Sequence, residues 1–66
     1  MVIVIRKAAR GTGFDIHAPE GREEDDVFNI ASMPEALETA ESLKAKYEPE
    51  AEDGVEISDE TLYPNI

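Results

Sequence analysis

The chain has 66 residues, of which sixteen are Asp or Glu and six are Lys or Arg, so its formal net charge is −10 at pH 7. So short a chain is expected to form one domain, residues 1–66, with a small core. It has no cysteine, which excludes a disulfide or a thiolate zinc site as support for that core. The negative charge disfavours direct binding to nucleic acid or membrane and favours basic protein surfaces.

The charge is distributed unevenly along the chain. Residues 1–19 contain three cations, Arg6, Lys7 and Arg10, and one acid, whereas residues 20–66 contain fifteen acids and three cations. Three cations in so anionic a chain do not predict a nucleic-acid patch, because neutralisation of phosphates dominates that kind of binding. We expect them to pair with acids of the second half.

The first predicted element is a strand over residues 2–5, a run of β-branched residues that is too short for a signal peptide or a membrane span. Glycines at 11 and 13 allow the chain to turn back. Apolar residues then alternate with Asp15 and His17, which predicts a second strand with these two side chains on its solvent face. Residues 19–26 are predicted to form a solvated loop, and residues 27–30 a third strand.

The helix has the clearest signals in the chain. Ser32 and Glu35 form a capping box and Pro34 suits the first turn, so the helix is predicted to begin at Met33. It should end at Glu48, because a residue that precedes proline is disfavoured in the α region. The apolar stripe predicted to face the core consists of Met33, Ala36, Leu37, Ala40, Leu43 and Tyr47.

Residues 49–54 are predicted to form an acidic linker, residues 55–58 a fourth strand and residues 62–66 an apolar tail. The order β-β-β-α-β predicts an α+β two-layer domain with the helix on one face of a mainly antiparallel sheet. The first strand is apolar on both faces, which is typical of a strand covered twice. We therefore expect the tail, a second copy of the protein or a partner to cover the face away from the helix.

Three patterns could indicate chemistry. A carboxylate at Asp15 could orient His17 as a general base, but no nucleophile accompanies the pair and so small a chain hardly encloses a cleft, which favours a solvated histidine. The glycines at 11 and 13 lack the third glycine of a dinucleotide fingerprint. A calcium loop around Gly54 would place Pro49 and Ala51, which have no side-chain oxygen, at ligand positions. We therefore predict no catalytic residue, metal site or cofactor.

The acidic residues are the predicted partner-binding site. A net charge of about 2 to 8 is enough to keep a small domain soluble, so a charge of −10 favours a role in binding. Adaptation to a saline cytoplasm is an alternative explanation. The candidate residues are Glu20, Glu23, Glu24, Asp25, Asp26, Glu35, Glu38, Glu41, Glu48, Glu50, Glu52 and Asp53.

In size, acidity and layout, and through these acidic residues, the chain resembles small phage-encoded inhibitors of host machinery, including anti-CRISPR proteins and other DNA mimics. Residues 32–41 are similar to the capped helix of a phage inhibitor of bacterial RNA polymerase. The resemblance implies a cytoplasmic, non-enzymatic protein whose carboxylates imitate phosphates and block a basic nucleic-acid-binding site on a larger protein. The alternative is a structural or adaptor domain that homodimerises through its first strand and is acidic only for solubility.

Overall fold

The computed structural model describes residues 1–62, and residues 63–66 of the predicted tail lie outside the described part. The elements are β1 (Val2–Lys7), β2 (Phe14–His17), β3 (Val27–Ile30), α1 (Met33–Tyr47) and β4 (Glu56–Asp59), with 3₁₀ turns at Glu23–Asp25 and Glu60–Leu62. The predicted α+β fold and the predicted order of its elements are confirmed.

The four strands form one sheet in the order β3-β2-β1-β4. The β1–β2 and β2–β3 pairs are antiparallel, while β1 and β4 are parallel. The parallel pair exists because α1 is a crossover that returns the chain from the end of β3 to the opposite edge of the sheet. β1 is therefore a central strand whose two edges are both occupied by neighbours.

The core lies between α1 and one face of the sheet. Ile3, Ile5 and Ile16 are fully buried there, opposite Ala36 and Ala40 of the helix. These alanines let the helix backbone approach the sheet closely, so that the small core is filled by the isoleucine side chains.

Five of the six residues of the predicted apolar stripe face this core. Ala36, Ala40 and Tyr47 are buried, and Met33 and Leu43 pack against them. The prediction was wrong for Leu37, whose exposed fraction is 41%. Leu37 lies about 100° around the helix from Ala36, at the edge of the stripe, and the sheet is too narrow to reach it.

The ends of α1 agree with the sequence prediction. The Oγ of Ser32 accepts a hydrogen bond from the backbone N–H of Glu35 at 3.4 Å, and the helix ends at Tyr47. Beyond it, the N–H of Glu48 still bonds to the carbonyl oxygen of Lys44. In the part of the chain that the structure describes, no helix combines the length and the apolar character needed to cross a bilayer.

The other face of the sheet is not covered by the helix. Val2 is 46% exposed and Val4 is half-buried on this face, where the turn Glu60–Leu62 contacts β1. The predicted cover by the end of the tail concerns residues outside the described part. This open face carries one of the two candidate sites.

Candidate functional site

Two acidic loops, residues 18–26 and 48–54, lie side by side where α1 ends. Nη2 of Arg22 in the first loop lies 2.9 Å from Oε2 of Glu50 in the second, and Nζ of Lys46 lies 3.0 Å from Oδ2 of Asp25. Segments more than twenty residues apart in the chain thus form one surface, which we call the acidic end.

Tyr47 lies beneath the junction of the two loops. Its side chain is buried, and its ring is contacted by the guanidinium of Arg22 at 5.4 Å and by the ammonium of Lys46 at 5.5 Å from the ring centroid. Aromatic faces attract cations, so the ring helps to place the same two cations that bind the carboxylates of the loops. Its hydroxyl has no hydrogen-bond partner among the described residues.

The first loop is more ordered than predicted. It contains the 3₁₀ turn Glu23–Asp25, and Pro19 is buried. Oδ1 of Asp26 accepts a hydrogen bond from the N–H of Ala18 at 2.7 Å, and Oδ2 lies 3.7 Å from Nδ1 of His17. The loop is structured because these contacts satisfy polar groups that a solvated loop would expose to water.

Nine of the twelve predicted partner-binding residues are exposed and form no ion pair within residues 1–62. Asp25, Asp26 and Glu50 instead contact cations or backbone of the protein itself, as described above. The nine are Glu20, Glu23, Glu24, Glu35, Glu38, Glu41, Glu48, Glu52 and Asp53.

Glu35, Glu38 and Glu41 lie on the solvent side of α1, and we call them the glutamate row. Their backbone positions advance by about 4.5 Å along the axis at each step. Glu48 follows Glu41 after about 10 Å, so the row leads into the acidic end. The structure therefore brings the two acidic loops together, and the row extends away from them along α1.

At the opposite end of the sheet, its open face contains a cavity of about 410 Å³. Sequence reasoning missed it, because it depends on the pairing of three strands. Its lining includes the three cations of β1 and the loop that follows it, Arg6, Lys7 and Arg10, together with Asp15, His17 and Phe28. We call this region the basic end.

The cations of the basic end are only partly paired. Nε of Arg6 lies 2.8 Å from Oε1 of Glu60, which confirms the predicted internal pairing for this residue. For Lys7 and Arg10 that prediction was wrong within the described residues, where neither forms an ion pair. Both are exposed at the end of the molecule farthest from the two acidic loops.

The floor of the cavity contains Asp15, which lies beside His17 on the face away from the helix, as the sequence predicts; the predicted exposure of Asp15 to solvent was wrong. Asp15 is only 6% exposed, and its carboxylate accepts hydrogen bonds from the N–H groups of Ala9 at 3.3 Å and Asn29 at 2.9 Å. These bonds tie the loop after β1 to β3. A buried carboxylate is stabilised in this way because backbone donors replace the water that it has lost.

Asn29 completes this arrangement. The register between β2 and β3 shifts here, and Asn29 has a φ of 55°, a left-handed value that asparagine adopts more readily than most residues. Its Nδ2 donates to the carbonyl oxygens of Arg10 at 2.6 Å and Thr12 at 3.3 Å. The irregularity leaves no mark in the apolar pattern of the sequence.

Within residues 1–62, no group of three or more Asp, Glu or His side chains is placed to hold a metal ion. Comparisons of the chain with protein-family models, with curated proteins and with solved structures find no match.

Proposed function

We propose that the protein is a non-enzymatic binding protein whose acidic end and glutamate row occupy a basic, nucleic-acid-binding surface of a larger protein. The observation that carries the proposal is the joining of the two acidic loops by the Arg22–Glu50 ion pair, with the first loop also tied to the end of α1 by the Lys46–Asp25 ion pair. Concentrating acids at one end of a small molecule raises its self-repulsion, and a basic partner would relieve that repulsion.

The spacing of the charges suits such a partner. A groove that binds B-DNA meets one phosphate charge per about 1.7 Å of axis and is lined with Lys and Arg. The glutamate row presents one carboxylate per about 4.5 Å, and six of the nine acids of the acidic end have no ion pair within residues 1–62. Such carboxylates can form charge-assisted hydrogen bonds with guanidinium groups.

The acidic surface is also organised before it meets a partner. The capped helix holds the row, and the Arg22–Glu50 and Lys46–Asp25 ion pairs, together with the Tyr47 ring, hold the acidic end. Side chains and loops that are already ordered lose less conformational entropy on binding. The proposed mode of action is occupancy of the partner's site, without chemistry.

The test is competition with DNA. The protein is immobilised, a bacterial lysate is applied at low salt, and duplex DNA is used to elute the captured protein. We expect DNA to displace the captured protein, because both ligands occupy one site, and we expect the purified partner to lose its DNA when the soluble protein is added. Failure to capture a DNA-displaceable protein contradicts the proposal.

Two triple variants locate the contact. Glu23→Gln/Glu24→Gln/Glu52→Gln removes charge from the acidic end, and Glu35→Gln/Glu38→Gln/Glu41→Gln removes the same charge from the row. Asp25 and Asp26 are left intact because they bind Lys46 and the N–H of Ala18. Each lost charge should weaken binding by about 1 kcal/mol where the contact is desolvated.

The control for the triple variants is Glu60→Gln, an exposed position beside Arg6 at the other end of the sheet. This variant should compete as well as the wild type. If both triple variants also compete as well as the wild type, the acidic surface only solvates the protein.

The open sheet face favours a second candidate, a homodimer. Val2 and Phe28 are exposed by 46% and 56%, and such apolar surface can bind a second copy. Both edges of β1 are already paired, so this dimer would pack face to face and not by adding strands. Light scattering tests it: a dimer that Val2→Thr converts to a folded monomer supports it, and a wild-type monomer contradicts it.

A further inference from the structure

We infer that the cavity of the basic end binds a small ligand of the mononucleotide class, which carries a phosphate group and a flat ring. This site lies on the open face of the sheet, with Lys7 and Arg10 at the end away from the acidic loops and His17 close to Asp26 of the first loop. It is independent of the proposed contact with a basic partner, and each can fail without the other.

The phosphate group is inferred from the cations at the rim. Lys7 and Arg10 form no ion pair within residues 1–62, and Arg6 binds Glu60 through Nε. The arginine fork matches the geometry of phosphate oxygens, and lysine adds a mobile point charge. In a chain of net charge −10, this cavity is lined by three of the six Lys and Arg residues.

The flat ring is inferred from Phe28. Its side chain is 56% exposed beside the cavity, and its ring forms a T-shaped pair with the His17 ring, with centroids 6.1 Å apart and planes at 77°. His17 holds Phe28 from one side and leaves much of its surface open. An aromatic base can stack on such a surface, which removes apolar area from water.

Asp15 sets the orientation of the ligand. A carboxylate that accepts two backbone N–H bonds still has lone pairs for a ligand O–H or N–H group. The same negative charge repels a phosphate, so the phosphate belongs at the rim with Lys7 and Arg10. A nucleoside phosphate offers these groups in this order: hydroxyl or amine donors inside, ring against Phe28, phosphate outside.

Size and charge favour a single nucleotide over a polymer. The cavity of about 410 Å³ falls in the range of about 300–1,000 Å³ that small-molecule sites occupy. Each further phosphate of a nucleic acid would approach a molecule of net charge −10 and add repulsion. A mononucleotide has one phosphate group, which the rim cations can neutralise.

The inference is tested by NMR titration of the ¹⁵N-labelled full chain with adenosine monophosphate, adenosine and inorganic phosphate at low salt. The nucleotide should bind with a Kd of about 1 mM or tighter and should shift the amide signals of Ala9 and Asn29. Adenosine and inorganic phosphate should each bind at least about tenfold more weakly. No shift of these signals at about ten times that concentration overturns the inference. Equal binding of adenosine or of phosphate also overturns it, since the phosphate or the ring would then contribute nothing.

Matched variants test the contacts. Lys7→Gln/Arg10→Gln should weaken nucleotide binding at least about tenfold and leave adenosine binding unchanged. The control Lys44→Gln removes a cation of α1 that forms no ion pair within residues 1–62, and it should leave nucleotide binding unchanged. Phe28→Leu keeps an apolar side chain but removes the ring, so it should weaken nucleotide binding and leave phosphate binding unchanged. The inference is overturned if the control weakens nucleotide binding as much as the cavity variants do, or if the cavity variants do not weaken it.

Discussion

The two ends of the molecule are held together by different interactions. At the acidic end, the Arg22–Glu50 and Lys46–Asp25 pairs are exposed, and pairs of this kind contribute about 0–1 kcal/mol each and weaken in salt. At the basic end, the carboxylate of Asp15 is buried and accepts backbone hydrogen bonds, which contribute about 1.5–3 kcal/mol each when one partner is charged.

The two ends therefore differ in the interactions that stabilise them and in the exposure of their charged groups. The basic end depends on one buried group, so its geometry is fixed and its cavity is formed in advance. The acidic end depends on exposed ion pairs and on the hydrogen bond from the N–H of Ala18 to Asp26, and six of its nine carboxylates form no ion pair within residues 1–62. Four sets of substitutions test this difference.

The largest effect is expected for Asp15→Ala. The substitution leaves the N–H groups of Ala9 and Asn29 without their partner, and it should lower the free energy of unfolding by about 3 kcal/mol or more. Urea unfolding measures the loss. The matched control Asp53→Ala, at an exposed position of the acidic end, should stay within about 0.5 kcal/mol of the wild type. Similar losses for both variants would contradict the contrast.

The next largest effect is expected in the difference between the losses in free energy of unfolding caused by Gly13→Ala and by Gly21→Ala. Both glycines have positive φ, 98° and 88°, but a Cβ at Gly13 would collide with the carbonyl oxygen of Ile30, while a Cβ at Gly21 has open space. Gly21→Ala should cost about 1 kcal/mol and Gly13→Ala about 2 kcal/mol more. Equal costs in urea unfolding would show that the turn of the basic end is not closely packed.

Tyr47→Phe should stabilise the protein. The hydroxyl of Tyr47 is buried without a hydrogen-bond partner in residues 1–62, so its removal should raise the free energy of unfolding by about 1 kcal/mol. The ring, and with it the contacts to Arg22 and Lys46, is retained. A destabilised variant in thermal or urea unfolding would show that the hydroxyl has a partner in solution.

The smallest effect is expected for Arg22→Gln, which removes one exposed ion pair and its contact with the ring of Tyr47. The cost should be about 0.5 kcal/mol at low salt and should shrink as NaCl screens the pair.

Added NaCl should meanwhile raise the melting midpoint of the wild type, since screening relieves the self-repulsion of a net charge of −10. A midpoint that falls with salt would mean that attraction dominates.

Local signals in the sequence predict much of the fold. The capping box at Ser32 and the proline at 49 define the bounds of α1, because these signals act within a few residues. Asp15 shows where such reasoning fails. Alternation predicts the strand face of Asp15 correctly but not its burial, because the bulge at Asn29 and the loop after β1 bring donors to it from other parts of the chain.

The candidate site divides in the same way. The exposure of the glutamate row follows from helical periodicity, which the sequence displays. The two acidic loops are joined by the contact of Arg22 with Glu50, and the contact of Lys46 with Asp25 ties the first loop to α1. No sequence pattern predicts contacts between residues so far apart in the chain. The cavity of the basic end depends on strand pairing and was not predicted.

The difference in role between the two ends can be measured in one NMR experiment. The ¹⁵N-labelled protein is titrated with the DNA-displaceable partner captured from the lysate, and the backbone amide signals are followed. We predict that the signals of residues 20–26 and 48–53 shift or broaden first, while those of Ala9 and Asn29 at the basic end stay in place. Shifts confined to the basic end, with the acidic loops unchanged, would contradict the account.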